Sequence, residues 1–171
     1  KSIAPALRVG YIVAPWAMLS RMLAIKTDAG SGSVEQMMLA EYCASHFAEH
    51  IPELTRGLRR KLETLMESLN EQFGTAAEFE DPKGGIFLWV KLPDNVDTLK
   101  LYQPALKAGV AINPGPEWSV NKTHSQSRMR LCFASPTHQE IREGIAALAE
   151  VCRKEFGVPA RSGNIERASG G

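Results

Sequence analysis

The stretch Ala77-Glu-Phe-Glu-Asp-Pro-Lys-Gly-Gly-Ile-Phe-Leu-Trp-Val-Lys-Leu92 decides the fold. Ala77–Glu80 reads as a short strand and Asp81–Gly85, with proline and two glycines, as a turn. Ile86–Leu92, apolar and rich in β-branched and aromatic residues, reads as a second strand. Upstream the period is helical. Leu54, Leu58, Leu62, Leu65, Met66 and Leu69 fall on one face of a helix predicted from about Pro52 to Phe73, with Arg59, Arg60 and Lys61 on its solvated side. Before it, Ser33 and Gln36 have the spacing of a capping box that opens an apolar helix through Met37, Met38, Leu39, Tyr42 and Cys43. Val9–Ala14 is predicted as a buried strand closed by Pro15, with a helix over Trp16–Lys26. Downstream, a helix is expected over Val96–Ala108, a strand at Val110–Ile112, a turn at Asn113–Pro116, a strand over Met129–Ala134 and a helix over Pro136–Phe156. A strand and helices followed by β-β-α-β-β-α give an α/β chain: the end of one α/β layer, a long connecting helix and a compact α+β lobe.

The composition is that of a folded domain. The chain has 171 residues, 44% of them apolar, and a formal charge of +1 from 20 Lys+Arg against 19 Asp+Glu. A domain of this size buries roughly two-thirds of its unfolded surface. The balanced charge offers no electrostatic ground for nucleic acid or an anionic membrane as the main partner. No run reaches the ~18 apolar residues of a membrane span. Cys43, Cys132 and Cys152 are too few and too scattered for a disulfide framework and fit a reducing, cytoplasmic setting; with four dispersed histidines they make no metal-ligand spacing. Val158–Gly171 is a polar, glycine-rich tail.

Two arginines need a reason for their positions. Arg8, between Leu7 and Val9 at the edge of an apolar run, is either a surface or salt-bridged side chain or an anion clamp, whose planar fork suits phosphate better than a point charge. Arg130 alternates out of phase with Leu131 and Phe133, so it leaves the core face of its strand; an arginine there is costly unless it is paired or faces a cleft. Arg128, two residues earlier, shares that face and competes for the same role.

Four segments in order carry a resemblance. Lys1-Ser-Ile-Ala-Pro-Ala-Leu-Arg8-Val-Gly10-Tyr11, Gly84–Val90, Gly109-Val-Ala-Ile-Asn-Pro-Gly115 and Met129-Arg-Leu-Cys-Phe-Ala134 resemble fold-type I pyridoxal-phosphate enzymes. Within these, the chain is most similar to the class I/II aminotransferases of the 2-aminoadipate and aromatic or kynurenine group. The resemblance covers about Lys1–Gly157 and implies aminotransferase fold type I, the cofactor pyridoxal 5'-phosphate, and transfer of an amino group between an L-amino acid and a 2-oxo acid in a homodimer with sites near the subunit interface. It also implies the C-terminal portion of such an enzyme. Residues 1–50 would end the large cofactor-binding domain, 51–73 form the interdomain helix, 74–157 the small domain and 158–171 a tail. The chain's opening at Lys1 rather than a methionine fits a fragment, and activity would require the N-terminal half.

The roles follow motif by motif. Lys1 would bind the cofactor covalently through its amine and then act as the base at the substrate Cα, which needs a pKa below the ~10.4 of free lysine. Arg8 would hold the cofactor phosphate, and Arg130 the substrate α-carboxylate. Thr27–Ser33 departs from the family's Asp-Leu-His-Thr-Ser pattern; Ser31 either reaches the other subunit's site or caps a turn. Gly84 and Gly85 would form a turn near the substrate mouth. Trp118 either shapes side-chain selectivity or packs at the rim. Tyr11, Trp16, Trp89 and Cys132 read as packing residues. A second function is compatible with these motifs: the ligand-sensing, aminotransferase-like domain of a winged-helix transcription regulator, which alone would bring nucleic acid in as a partner.

Overall fold

Antiparallel pairing of four short strands organises the second half of the chain, in a computed structural model that describes residues 2–159. The strands are β1 (Glu78–Phe79), β2 (Phe87–Lys91), β3 (Asn113–Pro114) and β4 (Arg128–Cys132), in the order β1-β2-β4-β3. Leu88 stands opposite Leu131 and Val90 opposite Met129, so the buried positions of the two central strands coincide. The period-2 alternation sends Phe87, Trp89 and Lys91, with Arg128, Arg130 and Cys132, to the other face.

Helices α1 (Trp16–Leu23), α2 (Ser33–Phe73), α3 (Thr98–Lys107) and α4 (His138–Phe156) complete the elements. Leu62, Leu65, Leu69 and Phe73 of α2, Leu101 and Ala105 of α3, and Ile141, Ile145, Leu148 and Cys152 of α4 meet the inward sheet residues in one apolar core. Asp97 caps α3 by accepting from the N–H groups of Leu99 and Lys100 at 3.0 and 3.3 Å. Thr137 and Glu140 form a reciprocal capping box on α4, and Gly157, at φ +70°, ends that helix. The chain divides into two units, with the boundary between Arg56 and Gly57.

In the first unit the segment Pro5–Leu7 makes one 3-10 turn, and α1 starts after Pro15. The Nε2 of His50 lies 2.7 Å from the carbonyl oxygen of Ser2, and its Nδ1 3.3 Å from the hydroxyl of Tyr42.

Four expectations change. Val9–Ala14 is not a strand: β-branched residues favour the conformation, but a strand exists through ladder bonds, and no described segment runs alongside it. The two helices expected over 33–73 are one, because Pro52 removes a single N–H from a stretch of otherwise helix-favouring residues and the helix continues through it. Gln36 does not complete a capping box at Ser33; its side-chain amide donates to the Ser31 carbonyl at 2.8 Å and its backbone N–H to Gly32. The strand expected at Val110–Ile112 falls instead at Asn113–Pro114. Pro114, without an N–H, is tolerated because β3 is an edge strand.

Candidate active site

Arg130 is the centre of the site in the second unit. The β3–β4 register sets Asn113 directly opposite it. Its Nε and Nη2 donate to Asn113 Oδ1 at 3.3 and 3.1 Å. Its Cζ lies 3.9 Å from the centroid of the Phe87 ring and 3.4 Å from that of Trp118. Phe87 arrives from β2, two residues before Trp89, which stands opposite Arg130. Trp118 is carried by the 3-10 turn Gly115–Glu117, and its backbone N–H donates to the Gly115 carbonyl at 2.9 Å.

The side-chain partners of Arg130 among the described residues, Asn113, Phe87 and Trp118, are all uncharged. Among the described residues no carboxylate lies within ion-pair distance of it, whereas Arg59 is paired with Asp81 and Glu63, and Arg153 with Glu150. A half-buried guanidinium so arranged keeps its full charge for an incoming anion. Arg128, the competitor, is spent locally: its Nε donates to the His124 carbonyl and its Nη2 lies 3.3 Å from His124 Nε2. Beside the site, a groove of about 810 Å³ runs along Phe87 and Trp89 and carries both signs of charge, Glu78, Glu80 and Asp81 with Lys83, Lys91 and Arg128.

Arg8 lies in the first unit, exposed. Among the described residues it alone, apart from glycines, has a positive φ, at +55° with ψ +30°. That region costs an ordinary L-residue roughly 1–2 kcal/mol. Its N–H donates to the Pro5 carbonyl at 3.1 Å, while its guanidinium makes no hydrogen bond to the described residues. Lys1 lies outside the described residues. In the loop Thr27–Ser33, Lys26 and the Gly30 N–H hold the Asp28 carboxyl below the usual carboxylate range, and Ser31 contributes its carbonyl to a turn.

Asn113 and Phe87 join the site without standing out in the sequence as site residues. The signal for Phe87 was the alternation that sets residues 87, 89 and 91 on one strand face, but pairing it with Arg130 needed the β2–β4 register. Asn113 was hidden by the Asn-Pro-Gly-Pro run, which has the chemistry of a turn. The residues read as packing are exposed in the chain: Tyr11 and Trp16 at 90% and 70%, and Trp89 and Cys132 on the outer sheet face. Cys152 is the thiol that packs; burial pushes its pKa up to about 12.

A family model described as aminotransferase class I and II matches residues 3–148. The chain belongs to this family. Among curated relatives, the HTH-type transcriptional regulator YdfD of Bacillus subtilis is 32% identical over 151 residues, which cover 86% of this chain and 31% of the relative. Aromatic-amino-acid aminotransferase 1 of Thermococcus litoralis is 28% identical over 159 residues, covering 91% of this chain and 38% of the relative. The crystal structure of the kynurenine aminotransferase of Pyrococcus horikoshii matches with a TM-score of 0.75 at 31% identity, over 90% of this chain and 38% of that one. The chain thus spans 31–38% of the length of these relatives, and its mixed α/β architecture is that of aminotransferase fold type I. No helix among the described residues of this aminotransferase-family chain is long and apolar enough to cross a membrane.

Proposed function

We propose that this chain is the C-terminal portion of a pyridoxal-phosphate-dependent aminotransferase that moves an amino group between an L-amino acid and a 2-oxo acid. The observation that carries the reading is Arg130, oriented by Asn113, Phe87 and Trp118 and with no counter-ion among the described residues. Its free edge takes the substrate α-carboxylate in a two-bond fork, which holds that group still and leaves Cα–H as the bond that reacts. Both the amino acid and the oxo acid carry this carboxylate, so one arginine serves both halves of the exchange.

The residues present fit the cofactor. Arg8 presents donors unspent on the described residues, from a backbone conformation that a bystander side chain gives no reason to maintain, and suits a doubly charged phosphate. Bound pyridoxal 5'-phosphate would supply an aldehyde that carries the amino group and a ring that accepts the electron pair left at Cα. Lys1 would hold the cofactor through its amine and then move the proton at the substrate Cα. Residues 1–50 belong on this reading to the large domain, 51–73 to the interdomain helix, 74–157 to the small domain and 158–171 to the tail. The assembled enzyme is a cytoplasmic homodimer, in keeping with its three free thiols. Within the family the 2-aminoadipate and aromatic or kynurenine group is the preferred assignment.

The test is made on the full-length protein. Borohydride reduction of the protein with its cofactor should label Lys1, found by peptide mapping, and Lys1→Ala should abolish amino transfer to 2-oxoglutarate. Transfer retained in Lys1→Ala refutes the assignment. A second reading has its own support, since a relative at 32% identity bears the name of a transcriptional regulator. On that reading the same arginines bind an amino-acid ligand whose occupancy controls DNA binding, and the protein would shift a DNA fragment in a gel without turning over any amino donor.

A further inference from the structure

We infer that Asn113 is a positioning residue that aims the guanidinium of Arg130 without discharging it; this rests on Arg130 as the carboxylate-binding residue. A guanidinium has five N–H donors. Asn113 Oδ1 takes one from Nε and one from Nη2, both on the same in-plane edge of the group. What remains is the outer edge, two donors on Nη1 and one on Nη2, which is the side that forms a parallel pair of bonds with a carboxylate. Rotation about Cδ–Nε breaks both Asn113 bonds and takes the plane off the rings of Phe87 and Trp118, so the three contacts select one orientation of the fork.

The chemistry of the acceptor matters as much as its place. An aspartate at 113 would make the same two bonds and hold Arg130 more tightly, because its negative charge adds direct Coulomb attraction to bonds that are already charge-assisted on the guanidinium side. It would also form a resident ion pair, and a ligand carboxylate would then meet a neutralised site. An amide oxygen orients the cation and leaves the charge for the ligand. Phe87 and Trp118 do the same through their π faces. The β3–β4 register supplies the geometry, since Asn113 stands directly opposite Arg130. Asn113 pairs at that point even though the run has the composition of a turn, because β3 is an edge strand that tolerates the proline after it.

A purely structural asparagine and an aiming asparagine respond oppositely to aspartate. The probe is 3-phenylpropanoate, which has the carboxylate and no amine, with 3-phenylpropanol as the uncharged control. Binding to the full-length protein is read by tryptophan fluorescence, and folding by thermal unfolding. For the unsubstituted protein, saturable binding of the acid and none of the alcohol is expected. Asn113→Ala should weaken the acid about tenfold. Asn113→Asp should unfold at the same or a higher temperature and yet lose acid binding by more than Asn113→Ala. Aspartate binding the acid as well as asparagine does overturns the inference, as does an alanine variant that is folded and unchanged. Arg130→Ala separates the two levels. If it leaves acid binding intact, or if the unsubstituted protein does not bind the acid, the carboxylate role fails and takes this inference with it. If Arg130→Ala abolishes binding while both Asn113 variants bind normally, the inference about Asn113 alone is wrong.

Discussion

Trp118 places its ring centroid 3.4 Å from Arg130 Cζ, and a glycine three residues earlier fixes it there. A Cβ on Gly115 would lie 2.3 Å from the carbonyl oxygen of Ser125 and 2.6 Å from that of Arg128, both backbone atoms that cannot swing aside. The 3-10 turn is therefore pressed against the start of β4, the strand that carries Arg130. Gly115→Ala should destabilise the fold by about 1–3 kcal/mol through this overpacking. The displaced turn should also change the environment of Trp118. Thermal unfolding with tryptophan emission checks both effects; an unchanged midpoint and spectrum would show that the turn can relax.

Arg8 sets stability against binding. Its left-handed backbone is a conformation that glycine adopts at no steric cost. Arg8→Gly should therefore keep or slightly raise the thermal midpoint without cofactor, by up to about 1 kcal/mol, while weakening the retention of pyridoxal 5'-phosphate. Arg8→Ala should lose cofactor and gain no stability. Calorimetry of cofactor-free protein with a cofactor titration reads both quantities, and a glycine variant that keeps full cofactor affinity would remove Arg8 from the phosphate.

The cap of α4 carries an acid-sensitive contribution. Glu140 Oε2 accepts from the Thr137 N–H at 2.7 Å and from its hydroxyl at 2.9 Å, and these bonds hold the Glu140 carboxyl below its ordinary value near 4.5. A depressed carboxylate favours the folded state when it is ionised in both states. Its contribution is thus full above about pH 5 and lost as pH falls below the ordinary glutamate value through the lower folded one. Thr137→Ala should cost about 1 kcal/mol at pH 7. The gap between Thr137→Ala and the unsubstituted protein should narrow on acidification below about pH 4.5. Urea unfolding at several pH values measures it; a gap that does not change with pH would mean that the Thr137 hydroxyl adds nothing to the hold on the Glu140 carboxylate beyond the Thr137 backbone N–H.

How much of this could be read from the sequence depended on whether the cause was local. The apolar face through Leu58, Leu62, Leu65 and Leu69 and the inward placement of Leu131 and Phe133 followed from period alone, because each segment's own residues state which side is apolar. The failures had non-local causes. Val9–Ala14 has strand composition, yet pairing depends on a neighbour that the segment cannot specify. Pro52 reads as a break, but whether a helix survives a proline depends on the turns on either side. At the site, Arg130 was legible as a polar residue out of phase in an apolar strand. Its surroundings were not, since Asn113 and Phe87 reach it only through the register of three strands, and their own segments spell turn and core.

The central claim is that Arg130 receives the carboxylate of an amino-acid substrate, and the most direct measurement compares two donors in the full-length protein. One is an amino acid and the other the amine with the same side chain and no carboxylate, each assayed with unsubstituted protein and with Arg130→Ala. Removal of a charge-assisted pair should lower kcat/KM for the amino acid by about a hundredfold or more and leave the amine's low value unchanged. Equal losses for both donors, or no loss for the amino acid, would contradict the account.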